Sequence, residues 1–149
     1  MIPYDKTFWP PAIMAPVALT GVVKTRPKVT VQAMIDTGAD ITAIPVSLEE
    51  TLKLYRFSRL QLEDVRGFRE SVYTYEVRLG LAGQKLAVME VILAPFPFVV
   101  LGRDWLETRY LLLNGPGDTT LNRGCTLKTA KFAKRGSSDI LESLQQQNQ

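Results

Sequence analysis

The chain has 149 residues, 46% of them hydrophobic and 22% charged, with a formal net charge of +3; that is about the size of one soluble domain able to bury its own core. It contains no histidine and a single cysteine, Cys125, so an intramolecular disulfide is excluded and a reducing compartment is compatible. Ser-His-Asp and Cys-His nucleophiles need imidazole as the base and the usual zinc hydrolase sites need at least one histidine, which leaves carboxylates for acid–base chemistry near or below neutral pH.

Residues 1–16 carry four prolines and little periodicity, and are expected to be an N-terminal extension. The first residues lack the basic-then-apolar pattern of a secretory signal, and no apolar run approaches the roughly 18 residues a membrane span needs. A cytoplasmic protein without membrane contact is the expectation. Val17 to Val23 and Val29 to Ile35 are β-branched-rich runs around Thr25-Arg26-Pro27-Lys28, which predicts a hairpin. In the second run Val29, Val31, Ala33 and Ile35 alternate with Thr30, Gln32 and Met34, the period of a strand with one face on a core. Ile41 to Ile44 reads as a short strand closed by Pro45. Ser47 and Glu50 stand at capping-box spacing before Leu48, Leu52 and Tyr55, which predicts a helix; Glu49-Glu50 is then helix-start chemistry rather than a catalytic pair.

Leu60 to Val65 and Ser71 to Leu79 flank a polar tip, Arg66-Gly67-Phe68-Arg69-Glu70. Gly80-Leu81-Ala82-Gly83 turns the chain into Lys85 to Leu93. Phe98 to Leu101 is apolar on both faces and reads as a central buried strand. Asp104 is placed to cap a short helix from Trp105 to about Tyr110, and Leu111 to Asn114 with Thr119 to Asn122 predicts a last hairpin around Gly115-Pro116-Gly117-Asp118. Phe8, Trp9 and Trp105 fit core or interface aromatics better than ligand stackers. Many short strands with few helices predict an all-β fold, a small closed barrel or sandwich with one or two short helices, over residues 17–122. Residues 123–149 form a basic, then glutamine-rich tail: Arg123, Lys128, Lys131, Lys134 and Arg135 lie in a stretch without an acidic residue. A solvated, mobile tail is favoured; residues 123–135 are the only hint of a nucleic-acid partner.

The segment Met34-Ile35-Asp36-Thr37-Gly38-Ala39 sets an ionisable loop between apolar strands. By itself it also fits an ordinary turn, with Asp accepting from a backbone N–H and Gly supplying a positive φ. A second element, Val100-Leu101-Gly102-Arg103-Asp104, follows before the predicted helix. Together, at this separation, the two resemble the motifs of a single lobe of the retropepsin-like aspartic peptidases, over roughly Val17 to Asn122. The resemblance implies a closed β-barrel of the acid-protease type and a role for each matching residue. Asp36 would supply one carboxylate of a catalytic dyad. Thr37 would hydrogen-bond across a dimer axis, and Gly38 would let the backbone approach the carboxylates. Ala39, Asp40 and Arg103 would line the substrate cleft, Arg103 pairing with Asp40. Gly67 and Phe68 would belong to a flap over the substrate. Thr42, Val100, Leu101 and Gly102 would support the loop from beneath.

Two plainer readings stay open at this stage: the tip around Gly67 fits a polar hairpin turn, and an Arg103–Asp40 pair fits a surface ion pair of little consequence. The only other Asp-Thr, Asp118-Thr119, lacks the glycine, so one chain carries half a dyad and a homodimer is implied, each Asp36 facing its symmetry mate. Two carboxylates roughly 3 Å apart share one proton and titrate as a unit; aspartic peptidases are the standard case of that effect. One then acts as base on water and the other as acid toward the peptide carbonyl. The expectation is an aspartic endopeptidase cutting peptide or protein substrates near apolar residues, without metal or cofactor. The alternative is a retropepsin-like module for dimerisation or peptide binding with little or no catalysis.

Overall fold

A computed structural model describes residues 2, 4–23, 27–64, 66–112 and 131–134. Ten strands and two single-turn helices follow one another: β1 (Tyr4–Asp5), β2 (Ala12–Gly21), β3 (Lys28–Ile35), β4 (Ala43–Pro45), α1 (Leu48–Thr51), β5 (Arg56–Glu63), β6 (Arg69–Leu81), β7 (Ala87–Ala94), β8 (Val99–Leu101), α2 (Arg103–Leu106), β9 (Arg109–Leu112) and β10 (Lys131–Lys134). The large sheet runs β1-β2-β3-β8-β4-β7-β6-β5, and an added pairing of β2 with β6 closes it on itself. The ring is therefore β2-β3-β8-β4-β7-β6, a closed six-strand barrel with β1 and β5 as flanking strands. Closure removes the open edges those six strands would otherwise expose. The fold is all-β, as the strand pattern predicts.

Alternation along the strands fills the barrel. Val17 and Leu19 of β2, Ala33 of β3, Val77 and Leu79 of β6, Val91 of β7, and Val99 and Leu101 of β8 are all fully buried. Ile44, Leu52, Tyr75, Trp105 and Leu106 complete the same cluster. In β3, Val29, Val31 and Ile35 pack against that cluster while Lys28, Thr30 and Gln32 are exposed, so the period-two reading gives the correct inner face. β8 is buried along its whole length, as a strand apolar on both faces requires.

Several local expectations are corrected. The first long strand begins at Ala12 rather than Val17, because Met14 to Thr20 pair with Lys28 to Met34 of β3 despite Pro16. Helix α1 is one turn, and Ser47 makes no side-chain cap. It stops early because Lys53 turns left-handed at φ 48°. Lys53 N–H then bonds Glu50 O and Leu54 N–H bonds Glu49 O, a C-terminal closure usually built on glycine. Helix α2 starts at Arg103, not Trp105, with Gly102 as its N-cap. β9 pairs with β10, Arg109 opposite Lys134 and Leu112 opposite Lys131, so part of the basic tail forms a strand. The hairpin expected around residues 115–118 lies outside the described residues, as does Cys125.

Candidate active site

The Asp36 loop is fixed where two strands of different origin run side by side. β3 and β8 are parallel, with Ala33, Met34 and Ile35 opposite Val99, Val100 and Leu101. One residue beyond, Asp36 N–H bonds Leu101 O at 3.0 Å. The chain then folds tightly: Gly38 N–H donates to Asp36 Oδ1 at 2.8 Å, and a Cβ on Gly38 would lie 3.2 Å from that oxygen. Asp36 is half-buried, whereas Thr37 and Gly38 are exposed at the surface of the loop.

A second layer ties this loop to α2. Arg103 N–H donates to Ala39 O at 2.8 Å and Asp104 N–H to Asp40 O at 3.3 Å. Arg103 Nη2 donates to Asp40 Oδ1 in a contact exposed on both sides, so the pair is worth little by itself and acts through the backbone bonds beside it. Beneath, Thr42 is fully buried. Its N–H donates to Asp104 Oδ2 at 2.9 Å and its hydroxyl to Asp104 Oδ1 at 2.7 Å, while it accepts Gly102 N–H at 3.1 Å. Asp104 Oδ1 also accepts Trp105 N–H at 2.8 Å. Asp104 is therefore both the expected helix cap and a clasp on Thr42, the part missed in the sequence. A polar Thr42 inside the apolar run Ile41-Thr42-Ala43-Ile44 was the available signal, since a buried hydroxyl needs a partner.

Gly102 is required by space rather than by its φ of −84°. A Cβ there would meet Ile41 C at 2.7 Å and Ile41 O at 2.8 Å, both backbone atoms that cannot swing away. Gly102→Ala is expected to lower stability by about 2 kcal/mol, within the range for overpacking a tight site; an unchanged urea midpoint would show that the crossing has slack.

Above the loop lies a cleft of about 780 Å³. Met34, Ala43, Ile92 and Val100 contribute apolar lining, Asp36, Gly38, Ala39, Asp40 and Ile41 the loop, Leu60 to Glu63 a part of β5, and Ala94, Phe96 and Phe98 the β7–β8 connection. Asp36, Ala39 and Asp40 thus come together in one cleft, with Arg103 bonded at its rim. Gly67 and Phe68 do not line it: they occupy the exposed tip of the β5–β6 hairpin, and the strand behind the tip faces the cleft instead. Met34 shares Asp36's side of β3 by the alternation that puts Ile35 against the core, so its place was legible.

That hairpin tip is held by Asp64. Its Oδ1 accepts Arg66 N–H at 2.8 Å and Phe68 N–H at 3.0 Å, and Gly67 takes φ +80°. The Phe68 bond first, then the Arg66 bond, hold the carboxyl below its ordinary pKa. Because it titrates lower in the formed tip than in an open chain, this anchor is complete at neutral pH and is lost as pH falls through the lowered pKa. Amide exchange at Phe68, corrected for its intrinsic rate, should accelerate in acid, and Asp64→Ala should show the acid rate already at pH 7. Equal protection in variant and parent would remove the role.

No protein-family profile matches the sequence, and no curated protein matches it. Among solved structures, those similar in fold include retroviral proteases. The foamy viral protease–reverse transcriptase in complex with an RNA/DNA hybrid is 21% identical, over 64% of this chain and 12% of that one, with a TM-score of 0.48. EIAV protease with a bound inhibitor is 22% identical, over 64% of this chain and 86% of that one, with a TM-score of 0.47. Likeness at this level concerns the fold, and the chemistry of the site rests on its own geometry.

Proposed function

We propose that the chain is an aspartic endopeptidase of the retropepsin type, active as a homodimer. One observation carries this reading. Of the three carboxylates that line the cleft, Asp40 is bonded to Arg103 and Glu63 to Arg69 at 2.6 Å. Asp36 has no cationic partner among the described residues. Its carboxylate is held by a single backbone N–H, on a loop whose neighbours Thr37 and Gly38 are exposed. A carboxylate so placed is oriented yet still open to a proton, a water or a second carboxylate.

The chemistry needs a pair. Two-fold association through the exposed loop sets Asp36 beside its counterpart, where the two share one proton because both cannot ionise at such range. The ionised member draws a proton from water as it attacks the peptide carbonyl, and the protonated member donates to the carbonyl oxygen. A peptide lies along β5, between Leu60 to Glu63 and the apolar lining of Met34, Ile92 and Val100, with apolar side chains beside the bond that is cut.

The reading is tested by the order of the reaction in protein. At mildly acidic pH, cleavage of a mixed peptide library should rise with the square of protein concentration at high dilution, become linear once sedimentation shows dimer, and be blocked by a pepstatin-type inhibitor. A stable dimer that cuts nothing from pH 3 to 8 would instead make this barrel a peptide-binding or dimerisation module.

A further inference from the structure

Three phenylalanine rings form a ladder at one side of the cleft, and the carboxylate chemistry does not use them. Phe96 and Phe98 lie in the β7–β8 connection and both line the cleft that holds Asp36. Their rings are parallel, centroids 5.8 Å apart at an interplanar angle of 5°. Phe98 also meets Phe8, in the turn between β1 and β2, edge to face at 5.8 Å and 80°. Both arrangements suit the ring quadrupole, which favours offset and edge-on pairs. Pro95 and Pro97 flank Phe96 and restrict the backbone that carries it. Phe96 itself remains 47% exposed, so the ladder ends in an uncovered aromatic ring at the cleft. The other apolar residues that line the cleft (Met34, Leu60, Leu62, Ile92) are aliphatic.

We infer that Phe8 is a positioning residue that props Phe98, and with it Phe96, as an aromatic wall selecting substrates with an aromatic side chain beside the scissile bond. This rests on the peptidase reading above and names its substrate class. A bound phenyl ring adds a rung to the ladder; a leucine of similar apolar area covers the wall without the directional contact. Contacts of this kind are worth a factor of roughly two to ten.

The test uses two peptides differing only in Phe or Leu next to the cut bond. Wild-type protein should favour the Phe peptide in kcat/KM by about fivefold, within the range for an aromatic pair. Phe96→Ala should bring the ratio close to one. Phe8→Ala should at least halve it, mainly through KM, and Phe8→Tyr should restore it. Loss of fold or dimer lowers both rates together and leaves the ratio alone, so the ratio isolates positioning from mere stability. The same peptides are titrated into Asp36→Asn protein by calorimetry, which needs no turnover. If the wild type cuts neither peptide while binding still prefers Phe in a Phe8-dependent way, the peptidase reading falls and the wall stands. If cleavage is robust and the ratio is one, or is unmoved by Phe8→Ala, the wall falls and the peptidase stands. Neither cleavage nor selective binding overturns both.

Discussion

Asp36→Asn should abolish peptide cleavage while leaving the barrel folded and the dimer formed. Asparagine keeps an oxygen at the position where Asp36 Oδ1 accepts Gly38 N–H at 2.8 Å, and the Asp36 N–H bond to Leu101 O is a backbone contact the change does not touch. What disappears is the capacity to hold or release a proton. In a homodimer one substitution removes both the base and the acid. Each role is worth roughly 10²–10⁴ in rate, so a loss of at least about 10⁴-fold is expected by the same principle. Circular dichroism, thermal midpoint and sedimentation should match the parent. Asp36→Ala offers a contrast: it also removes the acceptor for Gly38 N–H, so it should lose the same activity and some stability. Wild-type turnover by the Asn variant would end the assignment of Asp36 as the catalytic group.

The inner face of the barrel was legible because it depends on period two alone. Val29, Val31, Ala33 and Ile35 alternate inward wherever the strand is placed. Strand and helix ends were less legible because tertiary pairing sets them. Ala12 to Pro16 join β2 only because β3 offers a partner, register by register, as far as Met34. The helix after Ser47 carried a start signal and a helical spacing, yet stops after one turn at Lys53, whose left-handed backbone no residue preference announces. Of the site, the Asp36 loop and the Gly102 crossing were legible as motifs. The cleft wall was not, since Leu60 to Glu63, Phe96 and Phe98 meet Asp36 only once the ring of strands has closed. Attention to the hairpin tip rather than its strand put Gly67 and Phe68 where Leu60 and Leu62 belong. Asp104 was readable as a cap but not as a clasp, because the bond partner it needed lies across the crossing at Thr42.

That clasp yields the largest expected effect on stability. Asp104→Ala removes the acceptor for Thr42 N–H, for the Thr42 hydroxyl and for Trp105 N–H in one step. Thr42 is fully buried, so water does not replace what is lost, and its N–H is left without its partner. Unsatisfied buried groups cost roughly 1–3 kcal/mol each, and a combined loss of about 3–4 kcal/mol is expected on that basis. In a domain of this size that lowers Tm by roughly 10–15 °C. Asp104→Asn should fall between the two, because an amide retains one acceptor but turns a donor toward either Thr42 or Trp105. Thr42→Val in the Asp104→Ala background should cost far less than Thr42→Val alone, since its hydroxyl has already lost Asp104, and the cycle then reports the coupling directly. Because Asp104 N–H also holds Asp40 O and Arg103 N–H holds Ala39 O, loosening the clasp loosens the loop that carries Asp36. Cleavage by Asp104→Ala protein, measured well below its lowered Tm, should therefore fall as well. Additive losses in the cycle, with cleavage unaffected at a temperature where the variant is folded, would reduce Asp104 to an ordinary helix cap.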